Sequence, residues 1–414
     1  MADSRPLKAG RIYYMDALRA LAMLLGVFFH AALAYAALFQ GLWLVGDMRA
    51  SSMSLEVFAW FSHLFRMTLF FLIAGFFAHL LVERRGVKGF LRNRAIRIVL
   101  PFVIFWSLAT AAIFFAIVWA LDYIQELPPI LQLVTEAVER GDDPPPATTG
   151  HLWFLYNLTF LCAIAAVLSR VRWQWVTRAA TGFFASTRHL LWAPLLLVPA
   201  LYSTSIPVPS PESFTPQLFS FGYYGLFFLM GWHFLRHQGY LDLIDRRLGV
   251  LAGASVVGYV VYFFRLPIEA FSVEVLRTYA KGPPELTGWT KLLDAALEAY
   301  LSTYLTLVML ALGRRLLDSR NRALRYISDA PYWIYLVHLP LLFYIQVALT
   351  RLDLNVWLKF AISSLGTIAI ALAAYELGIR YTPIWRDQPL GLGTARRQGI
   401  SPYGIGGTLP RSLA

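Results

Sequence analysis

The sequence predicts an all-α polytopic membrane protein of about ten transmembrane helices, with both termini on the cytoplasmic side. Three observations predict it. Of the 414 residues, 58% are hydrophobic and only 14% are charged, with a mean hydropathy of +0.57; soluble domains carry about a quarter charged residues. Apolar runs of ~20 residues, enough to cross a bilayer, recur along the whole chain. The connections between them alternate in charge, as the preference for arginine and lysine on the cytoplasmic side requires.

The first span falls near residues 15–38. Lys8 and Arg11 precede it and Ala34-Tyr35-Ala36 resembles a cleavage site, but Asp16, Arg19 and His30 interrupt the run. A signal peptide tolerates such residues poorly, so the span is expected to be retained. The others fall near 54–82, 93–120, 151–168, 188–202, 217–236, 247–265, 290–313, 328–350 and 354–379. The fifth is short and ends among prolines. Arg84, Arg85, Lys88 and Arg92 follow the second span; Arg170, Arg172 and Arg178 the fourth; Arg236, Arg246 and Arg247 the sixth. Arg314, Arg315, Arg320, Arg322 and Arg325 follow the eighth. The third is followed instead by Asp122, Glu126, Glu136, Glu139, Asp142 and Asp143. The pattern divides the chain into a cytoplasmic segment (1–14), one transmembrane domain (15–386) and a flexible, glycine-rich cytoplasmic tail (387–414).

Composition narrows the function classes. The net charge of +12 is explained first by the topology and second by a polyanionic ligand at the inner face, with no nucleic-acid partner expected. Cys162 is the only cysteine, which excludes a disulfide framework or a thiolate metal cluster.

Ionisable groups inside a membrane are costly, so each is a functional candidate. Arg19 and His30 are eleven residues apart, which puts them on one helix face about 16 Å apart along the axis. That stripe is either a fixed cation below a titratable base, or a snorkelling arginine and a histidine bonded to a neighbouring helix. Asp16 is placed to hold the Arg19 guanidinium. His63 and His338 enter their spans to a depth similar to that of His30, about 15 Å. Three histidines at one depth raise the possibility of zinc, but no ligand-spacing motif supports it and no metal is expected. Arg66, one turn after His63, suits a carboxylate, an acyl carbonyl or a structural ion pair. His79 with Glu83, and Glu376 with Arg380, read as interfacial pairs. His189, His233 and His237 are expected to be wetted near the cytoplasmic ends of helices.

FLRNRAIRIVLP (90–101) opens the third span with Arg92, Arg94 and Arg97. Guanidinium groups suit bidentate phosphate recognition, although flanking arginines are also ordinary topology signals. HLWFLYNL (151–158) opens the fourth with His151, Trp153 and Tyr156, either an aromatic belt or a platform for sugar rings.

Taken in order, Arg19-x10-His30, HLFRMTLFFLIAGFF (63–77), Arg94-x-x-Arg97, HLWFL (151–155) and SDAPYWIYLVHLP (328–340) resemble the membrane acyltransferase 3 family. YYGLFFLMGWHF (223–234), which adds Tyr223 to the substrate-binding candidates, and YELGIRYTPIW (375–385) are similar to its glucan-modifying branch. The resemblance covers roughly residues 11–386, with one departure: Ala74 stands where many members have serine.

The resemblance implies an O-acyltransferase that takes an acyl group from cytoplasmic acyl-coenzyme A and delivers it to a carbohydrate hydroxyl outside. It implies succinyl-coenzyme A as co-substrate, with acetyl-coenzyme A the alternative, and a periplasmic osmoregulated glucan as acceptor, in a bacterial inner membrane. His30 matches the family's essential histidine; Arg19, Arg94 and Arg97 match conserved basic positions. On this reading His30 is the general base, assisted by Arg19, His63, Arg66 or His338. Arg92, Arg94, Arg97 and Arg19 hold the coenzyme, and His151, Trp153, Tyr156 and Tyr223 meet the acceptor. Other extracytoplasmic glycans, lipid-linked or small-molecule acceptors fit the same outline. A proton-coupled transporter or glycan exporter is the rival class, but the repeated halves common in transporters are not visible.

Overall fold

The computed structural model describes residues 13–171, 173–204, 210–266, 269–281, 288–318 and 330–379. Most of the expected N-terminal segment, the whole tail, and Arg172, Arg320, Arg322, Arg325 and Arg380 lie outside the described residues. Among the described residues all regular structure is helical, apart from two isolated bridges, Ala36–Ser52 and Thr148–Ser213.

The first helix, α1, runs Tyr13–Leu33, and α2 runs Met53–Arg94. A π-turn at Ala95–Val99 leads into α3, Leu100–Tyr123. The short α4 (Pro129–Arg140) precedes α5 (Trp153–Leu168) and the short α6 (Gln174–Phe184) and α7 (Val198–Tyr202). Then come α8 (Leu218–Phe234), α9 (Tyr240–Asp245), α10 (Leu248–Arg265) and α11 (Val273–Lys281). The last three are α12 (Gly288–Leu317), α13 (Pro331–Leu349) and α14 (Val356–Ala374).

Seven described helices are long and apolar enough to cross a membrane: 13–33, 53–123, 150–168, 248–265, 288–317, 331–349 and 356–378. The protein is an all-α membrane protein. The expected second and third spans are joined without a loop. The chain turns between them at Gly86, whose φ of 66° and ψ of 174° suit glycine and few other residues. The expected fifth span is shorter than a crossing helix. It consists of two 3-10 turns, Arg188–Leu191 and Ala193–Leu197, followed by α7, with Pro194 and Pro199 each opening a new turn. The sixth, α8, has 17 residues. The first ends at Leu33 rather than near residue 38, and residues 34–52 form a compact loop.

The central helix is α2, packed on α8, α1, α12 and α5. Its seam with α8 is set by glycines. A Cβ on Gly75 would lie 1.9 Å from the Phe228 carbonyl oxygen, and one on Gly231 would lie 1.8 Å from that of Leu72. Small residues let backbones approach this closely, which is how helices gain contact where lipid removes the hydrophobic drive to associate. His79 and Glu83 do pair, at 3.3 Å, and the pair locks onto α8: His79 stacks on Trp232, and Glu83 accepts from Arg236 at 2.7 Å. His189 is buried rather than wetted, because the Tyr240 hydroxyl meets its Nε2 at 2.8 Å.

Candidate functional site

A cavity of about 770 Å³ lies between α1, α2, α3, α5 and α13, beneath the 34–52 loop. His30, His63, Arg66, His151, Trp153 and His338 are all on its wall. His30 lies in the last turn of α1, His63 and Arg66 in the first third of α2, His151 just before and Trp153 at the start of α5, and His338 midway along α13. The rings form a continuous contact set. His338 is 5.3 Å from His30 and 5.2 Å from His151 between centroids. Phe29 joins the remaining members: His63 stacks on it at 4.8 Å, and the Arg66 guanidinium lies over the same ring, 4.1 Å from its centroid.

Pro340 explains how α5 and α13 come together. A proline inside a helix has no N–H, so the carbonyl four residues earlier, that of Leu336, loses its helical partner. Nε2 of His151 takes that carbonyl, at 3.3 Å. The Tyr335 hydroxyl in turn donates to the His151 carbonyl at 2.8 Å. Nδ1 of His338 meets the Tyr335 carbonyl at 2.7 Å. Carbonyls only accept, so these bonds place protons on Nε2 of His151 and Nδ1 of His338. His338 then presents the Nε2 lone pair, which is buried and, among the described residues, lacks a hydrogen-bond partner, as does Nδ1 of His30.

The loop over the cavity is rigid for identifiable reasons. Buried Glu56 accepts from the N–H groups of Leu38 and Phe39, at 2.9 and 3.1 Å, and from Trp60 at 2.8 Å. Asp47 pairs at 2.5 Å with Lys359 of α14; the two side chains are 3% and 2% exposed. Gln346 of α13 accepts from the Trp43 indole at 3.0 Å and donates to the Ala31 carbonyl. Together these hold the Trp43 ring stacked on His30, with 5.7 Å between centroids. Sequence reasoning missed Trp43, Glu56, Asp47 and Lys359. The signal for Lys359 was present, a lysine inside an apolar span.

The cavity reaches the surface at the loop end of the bundle, where exposed Ala147, Thr148 and Glu212 line it. Toward the other end it stops at buried Ala22, Met23, Met67 and Phe70. Arg19 lies one turn further on, held by Asp16 at 3.1 Å and set over the Phe77 ring. Arg94 and Arg97 are its electrostatic neighbours, and Arg85 is in turn a neighbour of Arg97, so the helix ends do gather a basic group there. Nε of Arg94 is buried with no hydrogen-bond partner among the described residues, the Arg97 carbonyl accepts from Tyr332, and Arg92 is exposed on the same stretch. None of Arg19, Arg92, Arg94 and Arg97 lines the cavity. Tyr156 and Tyr223 lie off it too. Tyr156 donates to the Phe214 carbonyl at 2.5 Å, and Tyr223 is fully buried against Tyr224 and Phe227. Among the described residues no group of three His, Cys, Asp or Glu side chains is arranged to hold a metal ion.

Fold and site together define a helical membrane protein with an imidazole-lined internal cavity and a separate basic cluster at one end. An acyltransferase domain matches residues 12–376, and the chain belongs to the acyltransferase 3 family. It is therefore a membrane acyltransferase. Glucans biosynthesis protein C of Escherichia coli (strain K12) is 25% identical over 385 residues, covering 91% of this chain and 93% of the relative. The same-named protein of Escherichia coli O139:H28 (strain E24377A / ETEC) is 24% identical over 386 residues, with the same coverage. No solved structure matches the chain.

Proposed function

We propose that this protein is an O-acyltransferase of the bacterial inner membrane that moves a succinyl group from cytoplasmic coenzyme A to hydroxyls of a periplasmic glucan. The observation that carries the reading is the convergence of four imidazoles on one cavity that opens at the loop end. The name shared by the relatives supports a glucan acceptor. So do four tryptophans on the wall, Trp43, Trp60, Trp106 and Trp153, since indole faces suit sugar rings. Ten crossings with both termini cytoplasmic follow if the three shorter or joined segments also span. The charge distribution supports this: Arg84, Arg85, Lys88 and Arg236 lie at the end that holds Arg19, whereas Glu136, Glu139, Asp142 and Asp143 lie in the connection after α3.

In this mechanism the coenzyme phosphates rest against Arg92, Arg94 and Arg97, with Arg19 beside them. A sugar hydroxyl is a poor nucleophile, and an imidazole is the side chain suited to take its proton near neutrality. His30 removes that proton as the oxygen attacks the thioester carbonyl. The C–O bond forms, the C–S bond breaks, and the imidazolium returns the proton to the departing thiolate. His338, with its lone pair toward the cavity, acts as an acceptor that orients His30 or the hydroxyl. The developing oxyanion is left to the His63 imidazole as donor. The thioester reaches His30 only when Met23, Met67 and Phe70 move, and unbranched methionines adapt readily.

The test is purified protein with succinyl-coenzyme A and periplasmic glucan, following thiol release and glucan mass. Wild-type protein should succinylate the glucan. His30→Ala should not, while still eluting as a folded, inserted protein. Normal succinylation by His30→Ala would remove that imidazole from the chemistry, and absence of thiol release from the wild type would remove the acyltransfer scheme.

A further inference from the structure

Arg66 is 6% exposed, inside a membrane-spanning helix, and enters no ion pair among the described residues. Its Nη1 has no hydrogen-bond partner among the described residues. Contact with the Phe29 ring offsets only part of the cost of burying a cation. The other strong cation near the site, Arg19, is already neutralised by Asp16 and lies outside the cavity. Arg66 is the only lysine or arginine among the described residues on the cavity wall. The single carboxylate on the wall among the described residues, Glu212, belongs to the loop at the open end, where its carbonyl accepts from Thr149. An unneutralised buried cation facing a substrate cavity is completed by an anionic ligand.

The position narrows which anion. A Cβ on Gly26 would lie 3.9 Å from Nη1 of Arg66, and Gly26 precedes His30 by one turn of α1, about 6 Å. A succinyl chain places two methylenes between its thioester carbonyl and its carboxylate, a length close to that turn. We infer that Arg66 receives the terminal carboxylate of the acyl group, and so makes this enzyme select a dicarboxylic acyl donor over a neutral one. Bidentate pairing of guanidinium with carboxylate is what this residue type does best. The assignment rests on the proposed acyl transfer at His30, and it leaves His63 as the donor to the oxyanion.

The experiment compares succinyl-, succinamoyl- and acetyl-coenzyme A with the full-length protein and glucan acceptor. Succinamoyl is nearly isosteric with succinyl but carries an amide in place of the charge. Wild-type kcat/KM should favour succinyl over succinamoyl by about 10- to 100-fold, as loss of a charge-assisted bond predicts. Arg66→Gln should bring the two donors to within about threefold, with the loss falling on the kcat/KM for succinyl. If wild-type protein uses succinyl and succinamoyl equally, the assignment is overturned. It is also overturned if Arg66→Gln slows all three donors alike, since Arg66 would then act on the carbonyl they share. Should Arg66→Gln fail to fold, the wild-type comparison decides by itself. A wild type that transfers none of the three overturns acyl transfer at His30, and this inference with it.

Discussion

The Asp47–Lys359 pair is the only buried ion pair among the described residues with both partners almost fully enclosed, and it ties α14 to the loop that carries Trp43. Substituting Lys359 by Met leaves the Asp47 carboxylate in an apolar setting without its counter-ion. Breaking one side of such a pair costs about 3–5 kcal/mol. At about 2.1 cal/mol/K per residue, the unfolding entropy of a chain this long is ~0.9 kcal/mol/K, so the melting temperature should fall by about 3–6 °C. Replacing both residues, Asp47→Asn with Lys359→Met, removes both charges and should recover most of that loss, because burying the pair was itself expensive. The assay is thermal unfolding of detergent-purified single and double variants, followed by tryptophan fluorescence. The single variant should also show a raised KM for the proposed glucan acceptor, since the loop that carries Trp43 loses its anchor. A double variant no more stable than either single one would refute the reasoning, as would a single Lys359→Met variant that melts like the wild type.

Three further outcomes are expected. Pro340→Ala restores the N–H that caps the Leu336 carbonyl and displaces His151, so kcat should drop about tenfold with little change in melting temperature; an unchanged kcat would detach His151 from the site. Gly231→Ala forces a Cβ into the Leu72 carbonyl and should cost about 3 kcal/mol or more, seen as loss of monodisperse protein on size exclusion. Gly253→Ala in α10, where a Cβ meets nothing within 4 Å, is its control and should be neutral or slightly stabilising. Met67→Phe stiffens the inner wall and should raise the donor KM about tenfold, whereas Met67→Leu should not; equal donor kinetics in the two would place the donor's route elsewhere.

Much of the site was legible residue by residue. His30, His63 and His338 could be assigned a common depth because helical rise is constant and each span has a countable start. Arg66 stood out because a charge in an apolar run has few structural excuses. The same rule applied to Lys359 would have flagged the α14 anchor, but its partner Asp47 sits in what reads as an ordinary loop. Pro340, two residues after His338, announced a vacant carbonyl without saying that His151 would fill it. Tyr156 and Tyr223 share the aromatic character of Trp153, and only packing separates them: Trp153 faces the cavity while the two tyrosines face Phe214 and Phe227. His189 read as wetted because its distance from Tyr240 along the chain hides their contact.

The sequence by itself determined that this chain is a helical membrane protein, where most of its long apolar helices lie, and which ionisable residues lie within them. These follow from hydropathy and helical rise, which are local properties of the chain. The tertiary structure alone decided that four imidazoles and one unneutralised arginine share a cavity, that a tryptophan from a connecting loop covers His30, and that the basic cluster lies beyond a methionine-lined wall. Those depend on which helix faces meet, and that is set by close glycine contacts, a proline-freed carbonyl and a buried ion pair between segments hundreds of residues apart.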